Sequence, residues 1–226
     1  STALGIPHGS DDITVYDVIE GRSSIQDAVK ACPEFDTLDV VPSSIDLSGA
    51  ELEIVDMDNR TGLLKQQLDN YINNSDKHYD YVIIDCAPSL GLLVLNALCA
   101  VHEVLIPIQA EYYALEGLGQ LLNTIQLVQN SLNHNLVIST MLVTMFDKRT
   151  LLSREVYGEI KEHYKDIVLD ATIPRSVRIS EAPSFNQTII TYDPKGNGSI
   201  AYREAALEIN NRAEGIIARL TEKGNK

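Results

Sequence analysis

Residues 79–89 read YDYVIIDCAPS, with four apolar side chains directly before an acid, Asp85. A continuous apolar run of this length predicts a strand that is covered on both faces in a parallel sheet. Asp85 would then emerge at the carboxyl end of the strand, the edge where open α/β sheets bind ligands. An acid there can hold a water of the Mg²⁺ that bridges nucleotide phosphates, which is the Walker B pattern. The alternative is a plain turn or helix cap, because many strands end in Asp.

The next residues, Pro88-Ser89-Leu90-Gly91, predict a constrained turn that leads into a helix. In a nucleotide-binding protein, a turn of this kind can sense the terminal phosphate and move between two states. The alternative is an ordinary strand-to-helix turn in which Ser89 is the N-cap of the helix. The two interpretations are compatible.

Strand-like and helix-like segments alternate along the chain. The strand-like segments are residues 81–85, 104–107 and 136–143, with shorter candidates at 38–41 and 167–172. The predicted helices, with apolar residues at spacings of three and four or a short apolar run, are residues 64–72, 90–101, 115–128, 152–160 and 202–220. This alternation predicts an α/β fold with a mostly parallel sheet and helices on both faces. Because no repeat or linker interrupts it, we expect a single domain over residues 1–226.

Composition narrows the class of protein. No apolar run reaches the roughly 18 residues that a membrane span requires, and the first residues lack the pattern of a signal peptide, so a cytoplasmic location is expected. Cys32, Cys86 and Cys99 are too few and too irregularly spaced for a disulfide framework or a zinc site. We expect buried thiols, with an iron–sulfur role for the last two as the alternative. The net charge of −14 opposes DNA binding through the whole surface, so DNA contact would need a local basic patch.

The apolar run and the turn belong to a longer stretch, DYVIIDCAPSLGLLVLNAL at 80–98, which resembles the Walker B and switch II segment of ParA-type partition ATPases, relatives of the MinD ATPases. The other segments similar to that family are PSSIDLSGAELEI at 42–54, PIQAEYYALEGLGQL at 107–121, TMFDKRTLLSREV at 144–156 and IPRSVRISEAPSFNQTIITYDPKGNGSIAY at 173–202. The resemblance covers nearly the whole chain in the family's order. It implies a protein that binds ATP and Mg²⁺ and forms a homodimer around the nucleotide. It further implies non-specific DNA binding on the nucleoid and a ParB-type partner that stimulates hydrolysis.

The phosphate-binding motifs of that family do not occur in these residues. The family begins with a strand and a KGGVGKT-like Walker A loop, followed by a D-x-D-P-Q-G-N switch I motif, and no G-x-x-x-x-G-K-[ST] is present here. We therefore expect an N-terminally truncated domain without the first strand and P-loop, in which residues 81–85 lie beside a gap. Because loop amides and lysine charge supply most of the affinity for a triphosphate, this chain alone is expected to bind no ATP tightly and to be inactive.

The resemblance also assigns residues to a nucleotide site. Asp85 matches the Walker B acid, which would hold Mg²⁺ through water, and Pro88 matches switch II. Met145 and Phe146 end a core strand at the place that borders the base. Residues 174–176 (Pro174, Arg175 and Ser176) match the I-P-R-N segment that borders the adenine, with Ser176 in place of the usual Asn. The alternative for Pro174 is a proline that only stiffens a loop.

Four basic residues are candidates for contacts with DNA phosphates: Arg175, Arg178, Lys195 and Arg203. The alternative for each is an ordinary solvated cation. Residues 193–198 read DPKGNG where the family has a D-P-R-S-R-G region, so one basic residue is missing. A local patch can still attract DNA, because charges beyond about 8 Å are largely screened at physiological salt.

Two other functions are compatible with the sequence. One is a non-catalytic interaction module in which only partner binding survives. The other is a MinD-type membrane-cycling ATPase, a family that ends in a basic amphipathic helix, whereas residues 212–226 are mixed in charge.

Overall fold

The computed structural model describes residues 1–87 and 91–224, and for residues 214–224 only the helical course of the backbone. Two compact units are present, one of residues 1–102 with 123–137 and the other of residues 103–122 with the chain from 138 onward. The single domain over residues 1–226 stays a prediction. No helix among the described residues is long and apolar enough to cross a membrane.

The first unit is mainly helical. Its elements are α1 (Val15–Ile19), α2 (Ile25–Ala28), the antiparallel pair β1 (Lys30–Ala31) and β2 (Asp39–Val40), α3 (Leu47–Ile54), α4 (Leu63–Asn74) and α5 (Leu92–Ala100). The helices predicted at 64–72 and 90–101 are confirmed by α4 and α5, and the short strand predicted at 38–41 is confirmed by β2. Ile19, Ile54 and Leu64 form one buried cluster that holds α1, α3 and α4 together. Apolar spacing along these helices therefore decides which faces enter the core.

Residues 81–85 do not form a strand, so that prediction is wrong. They have no regular secondary structure, and none of the named strands of the described residues pairs with them. A strand requires a neighbour for its amide and carbonyl groups, whatever its own composition. The segment exposes Tyr81, Val82 and Ile83, the last at 88% of its surface, and the gap beside it stays a prediction.

The second unit contains the strands and the remaining helices. Its elements are β3 (Glu103–Gln109), α6 (Tyr112–Ser131, of which the residues after 122 belong to the first unit), β4 (Val137–Thr144), α7 (Leu151–Tyr164), α8 (Val177–Glu181), α9 (Ile189–Tyr192) and α10 (Asn197–Gly224). They confirm the strands predicted at 104–107 and 136–143 and the helices predicted at 115–128, 152–160 and 202–220.

The strands of this unit are parallel. The amide of Val137 donates to His102 and that of Ala110 to Thr144, so β3 and β4 advance in the same direction. On the other side of β4, residues 167–175 make two separate parallel bridges, Met141 with Val168 and Phe146 with Pro174.

The continuous strand predicted at 167–172 is therefore wrong. Its ladder is interrupted because the amides of Asp170 and Ala171 donate to the carboxylate of Glu208 on α10, at 2.9–3.1 Å. These amides are satisfied by a helix side chain, so they do not extend the sheet.

The strand β4 lies at the centre of the second unit. Its residues Thr140–Val143 are all buried, so both of its faces are covered, as continuous apolar strands require. Leu142 packs with Leu169 and Ile173 against Ala201 and Ala205 of α10. The α/β fold with a parallel sheet is confirmed.

The cysteines differ in environment. Cys32 is buried as predicted. Cys86 is exposed and Cys99 is half-buried, so the prediction that all three thiols are buried is wrong. Cys86 directly follows residues 81–85, of which Tyr81, Val82 and Ile83 are also exposed. Among the described residues, no group of three or more His, Cys, Asp or Glu side chains could hold a metal ion.

Candidate functional site

Asp85 is carried by a segment that is fixed at both ends. At its start, the hydroxyl of Tyr79 donates to Asp39 Oδ2 at 2.6 Å and lies 2.9 Å from the hydroxyl of Tyr71. Burial, then the bond to Asp39, strongly raises the pKa of Tyr79, so this hydroxyl stays protonated. At its end, Ile84 packs against the first unit's core. Asp85 itself is exposed and available to a ligand.

The helix that follows the switch II motif begins beside another carboxylate. Glu51 Oε1 of α3 accepts a hydrogen bond from the amide of Leu93 in the first turn of α5, at 3.1 Å. Gly91 is the N-cap of α5, and a Cβ added to it would collide with the Glu51 carboxylate. Pro88, predicted to contact nucleotide, lies outside the described residues, as does Ser89.

In the second unit, three chain segments end at the carboxyl edge of the parallel sheet. The amide of Phe146 donates to Ile173 at 3.0 Å, and the amide of Arg175 donates to Phe146 at 3.1 Å. The structure therefore brings together Met145, Phe146, Pro174 and Arg175, and their contact with a nucleotide stays a prediction. Ser176 follows as the N-cap of α8. This edge is where α/β sheets bind ligands.

Met145 has an unusual backbone conformation at this edge. Its φ is +53°, in the left-handed region that non-glycine residues rarely adopt. Such conformations cost on the order of 1–3 kcal/mol and are concentrated at functional sites. Met145 is also partly exposed, so its side chain is accessible to a ligand.

Charged side chains line the same edge. Arg175 Nη2 donates to Glu111 Oε1 at 2.5 Å, and Glu111 is the second residue after β3. The Arg149 side chain, with its backbone amide, holds the pKa of Asp147 down at about 2, and the charge of Arg175 adds to this effect. Arg149 binds Asp147 through two side-chain nitrogens, at 2.9 and 2.7 Å. The edge is thus a compact network of two acids and two arginines.

We expect Asp147 to remain ionised in acid. A carboxyl whose pKa is lowered by folding stabilises the protein above its unfolded value, near 3.8, and loses that contribution as the pH falls toward about 2. Carboxyl-carbon NMR of the chain should show Asp147 still charged at about pH 3, where an ordinary aspartate is mostly protonated. Arg149→Ala should return its pKa toward the ordinary value. An Asp147 midpoint near 3.8 in the unchanged chain would contradict this prediction.

The other basic residues surround one loop of the second unit. The guanidinium of Arg178 lies over the ring of Tyr192, with Cζ 5.6 Å from the centroid. Arg203 Nη1 donates to the carbonyl of Pro194 at 2.7 Å, and the exposed Lys195 follows in the chain. Arg178, Lys195 and Arg203 are therefore grouped around residues 192–195, whereas Arg175 is paired with Glu111.

Carboxylates lie at the starts of two helices of the described residues. α5 and α10 both begin after a glycine, as phosphate-binding helices often do. Glu51 lies against Gly91, and Asp193 lies against Gly196 so closely that a Cβ there would collide with it. A mostly apolar cavity of about 410 Å³ between β3 and α6 is also lined by an acid, Glu111. Among the described residues, these two helix starts and this cavity therefore do not fit a phosphate group, because each carries an acid.

Comparison with solved structures defines the class of protein. A cobyrinic acid a,c-diamide synthase from Mycobacterium smegmatis, with bound ADP and magnesium, has a TM-score of 0.71 and 35% identity, over 89% of this chain and 73% of that chain. The Pyrococcus furiosus cell division ATPase MinD has a TM-score of 0.69 and 22% identity, over 93% and 80% of the two chains. The fold is that of the P-loop ATPases of the MinD/ParA type.

Sequence comparison defines the family within that class. The model of the AAA domain family matches residues 1–138. The sporulation initiation inhibitor protein Soj of Bacillus subtilis is 46% identical over 209 residues, which are 92% of this chain and 81% of Soj. The chromosome partitioning protein ParA of Caulobacter vibrioides is 43% identical over 212 residues, which are 94% and 78% of the two chains. The chain belongs to the Soj/ParA family of partition ATPases.

Sequence reasoning missed the acids that contact the predicted site. Glu51, Glu111 and Asp147 all lie within the family segments quoted above, but residue type alone assigned none of them a hydrogen-bond or ion-pair partner. The spacing of Glu51 and Glu111 carries no signal for pairing, because their partners are 42 and 64 residues away in the chain. Asp147 pairs with Arg149, only two residues away.

Proposed function

We propose that this chain supplies the DNA-binding surface of a ParA-type partition protein. The surface consists of Arg178, Lys195 and Arg203, and the observation that carries the proposal is their grouping around residues 192–195. Phosphates of any sequence present the same charge, so such a surface binds DNA without sequence preference. Arg175 is left out of it, because Glu111 neutralises Arg175 at 2.5 Å.

The basic surface has to act in an acidic protein. The net charge is −14, and Glu181 accepts a bond from Tyr192 beside the surface, at 3.3 Å. Screening limits the reach of distant acids to about 8 Å at physiological salt, so a local group of cations can still attract a phosphate. The nearby Glu181 weakens the attraction of this surface for a phosphate.

The nucleotide role that we propose belongs to a protein that also has a phosphate loop. In that setting Asp85 holds a water of Mg²⁺, and Met145, Phe146, Pro174, Arg175 and Ser176 border the adenine. Support comes from the carboxyl edge that joins these five residues and from the ADP and magnesium bound by the Mycobacterium smegmatis relative. ATP-dependent dimerisation and stimulation by a ParB-type partner complete the proposal and follow from the family.

The test is an NMR titration of this chain with a mixed-sequence DNA duplex at low salt. We expect shifts confined to residues near Arg178, Tyr192 and Lys195, and an affinity that falls steeply with salt. Arg178→Glu should weaken binding about tenfold for every sequence and lower the salt slope by about one. The slope falls because one phosphate contact is lost.

The matched control is Lys65→Glu. Lys65 is an exposed lysine of α4 in the first unit and makes only a surface ion pair with Asp69. Lys65→Glu changes the net charge by the same amount as Arg178→Glu, but it should leave DNA binding nearly unchanged. Equal weakening by the two variants, or no shift on addition of DNA, would contradict the proposed surface.

A further inference from the structure

The start of α5 is held by a side chain from another helix. The first amides of any helix have no partner within the helix, and Gly91 at the N-cap has no side chain to bind them. Glu51, 42 residues earlier in the sequence, fills that role by accepting the amide of Leu93 at 3.1 Å. An anion is also favoured at this end by the helix dipole.

The absence of a side chain at Gly91 is required for this contact. Its φ of −86° and ψ of −172° are open to any residue, so backbone strain does not demand glycine. A Cβ at this position would instead collide with both carboxylate oxygens of Glu51. Gly91 therefore serves to let the Glu51 carboxylate approach the helix.

The body of α5 is fixed independently of Glu51. Asn96 is completely buried, and its side chain accepts the amide of Leu64 at 3.2 Å and donates to the carbonyl of Arg60 at 2.7 Å. Loss of the Glu51 contact would therefore free the beginning of the helix but not its middle.

We propose that Glu51 is a positioning residue that fixes where α5 begins and keeps the first amides of this helix from other anions. It acts through the amide of Leu93 and the space left by Gly91, not by touching a ligand. Any anion that approaches the first amides of α5 has to displace Glu51.

Amide-resolved hydrogen exchange by NMR tests this on the chain without nucleotide or DNA. Glu51→Ala should speed the exchange of the Leu93 amide about tenfold, while amides beyond Asn96 stay unchanged. Glu51→Gln should retain most of the protection, because the amide oxygen still accepts the bond. Gly91→Ala should match Glu51→Ala, since its methyl group moves the carboxylate away, and the double variant should add nothing further.

Glu53→Ala is the matched control. Glu53 is on the same helix, and its carboxylate accepts the hydroxyl of Tyr16 at 2.9 Å, away from α5. Glu53→Ala should leave the exchange rate of the Leu93 amide unchanged. The proposal would be overturned if the exchange rate of the Leu93 amide did not change in Glu51→Ala, or if exchange became faster along all of α5. Additive effects of Glu51→Ala and Gly91→Ala would also overturn it. Failure of the DNA titration would leave this result untouched, so the two proposals fail separately.

Discussion

A calorimetric titration of the 226-residue chain with MgATP is expected to show no binding up to about 1 mM ligand. Triphosphate affinity in P-loop proteins comes mainly from loop amides, a helix N-terminus and lysine charge. Here Glu51 and Asp193 lie against the glycines that begin α5 and α10. The net charge of −14 adds repulsion. A fusion that places the N-terminal residues of the Bacillus subtilis relative before Ser1 is expected to bind at least about 100-fold more tightly.

The matched control is the same fusion with the lysine of its phosphate loop replaced by alanine, which should lose most of the gain. Micromolar binding by the unmodified chain would mean that it has a phosphate site other than the one inferred from the family. If neither the chain nor the fusion bound MgATP, the assignment of Asp85, Met145 and Pro174 to a nucleotide site would be wrong.

Asn96→Ala is expected to lower the free energy of unfolding by about 2–4 kcal/mol. The side chain of Asn96 is fully buried and bonds to three backbone groups, the amide of Leu64 and the carbonyls of Arg60 and Leu92. Truncation leaves these groups without a partner and opens a cavity. Urea denaturation followed by circular dichroism measures the change.

Two variants make the Asn96 result specific. Asn70→Ala, at an exposed position of α4, should change stability little, because alanine is the better helix former. Asn96→Asp should be at least as damaging as Asn96→Ala near neutral pH. It puts an oxygen where the nitrogen now lies 2.7 Å from the Arg60 carbonyl, and it buries a charge. A loss below about 1 kcal/mol in Asn96→Ala would show that relaxation or water replaces these bonds.

The elements that follow from local periodicity were predictable. The apolar runs of β3 and β4 and the helical spacing of α4, α6, α7 and α10 are visible in short windows of sequence. The family motifs are also local, so the class of protein could be identified from segments such as 80–98. These features depend on residues within about four positions of one another, so they can be predicted from short segments of the sequence.

Long-range pairing could not be predicted in the same way. Residues 81–85 have the composition of a strand, but they have no neighbour to pair with among the named strands. The ladder at 167–172 is broken by Glu208, 38 residues away from Asp170. In both segments the local preference is strand-like, and the outcome depends on which group satisfies the backbone.

Some features of the candidate site were also predictable from the sequence, and others depended on tertiary structure. The sequence alone determined the family, the acid at Asp85, the strand end at Met145 and the basic residues that could meet DNA. Tertiary structure decided that Arg175 pairs with Glu111, 64 residues away, while Arg178, Lys195 and Arg203 gather around one loop. It also placed Glu51 on the start of α5, across 42 residues. Residue type and spacing determine local conformation. Contacts between charged groups or amides that are distant in the sequence depend on how the core packs the chain.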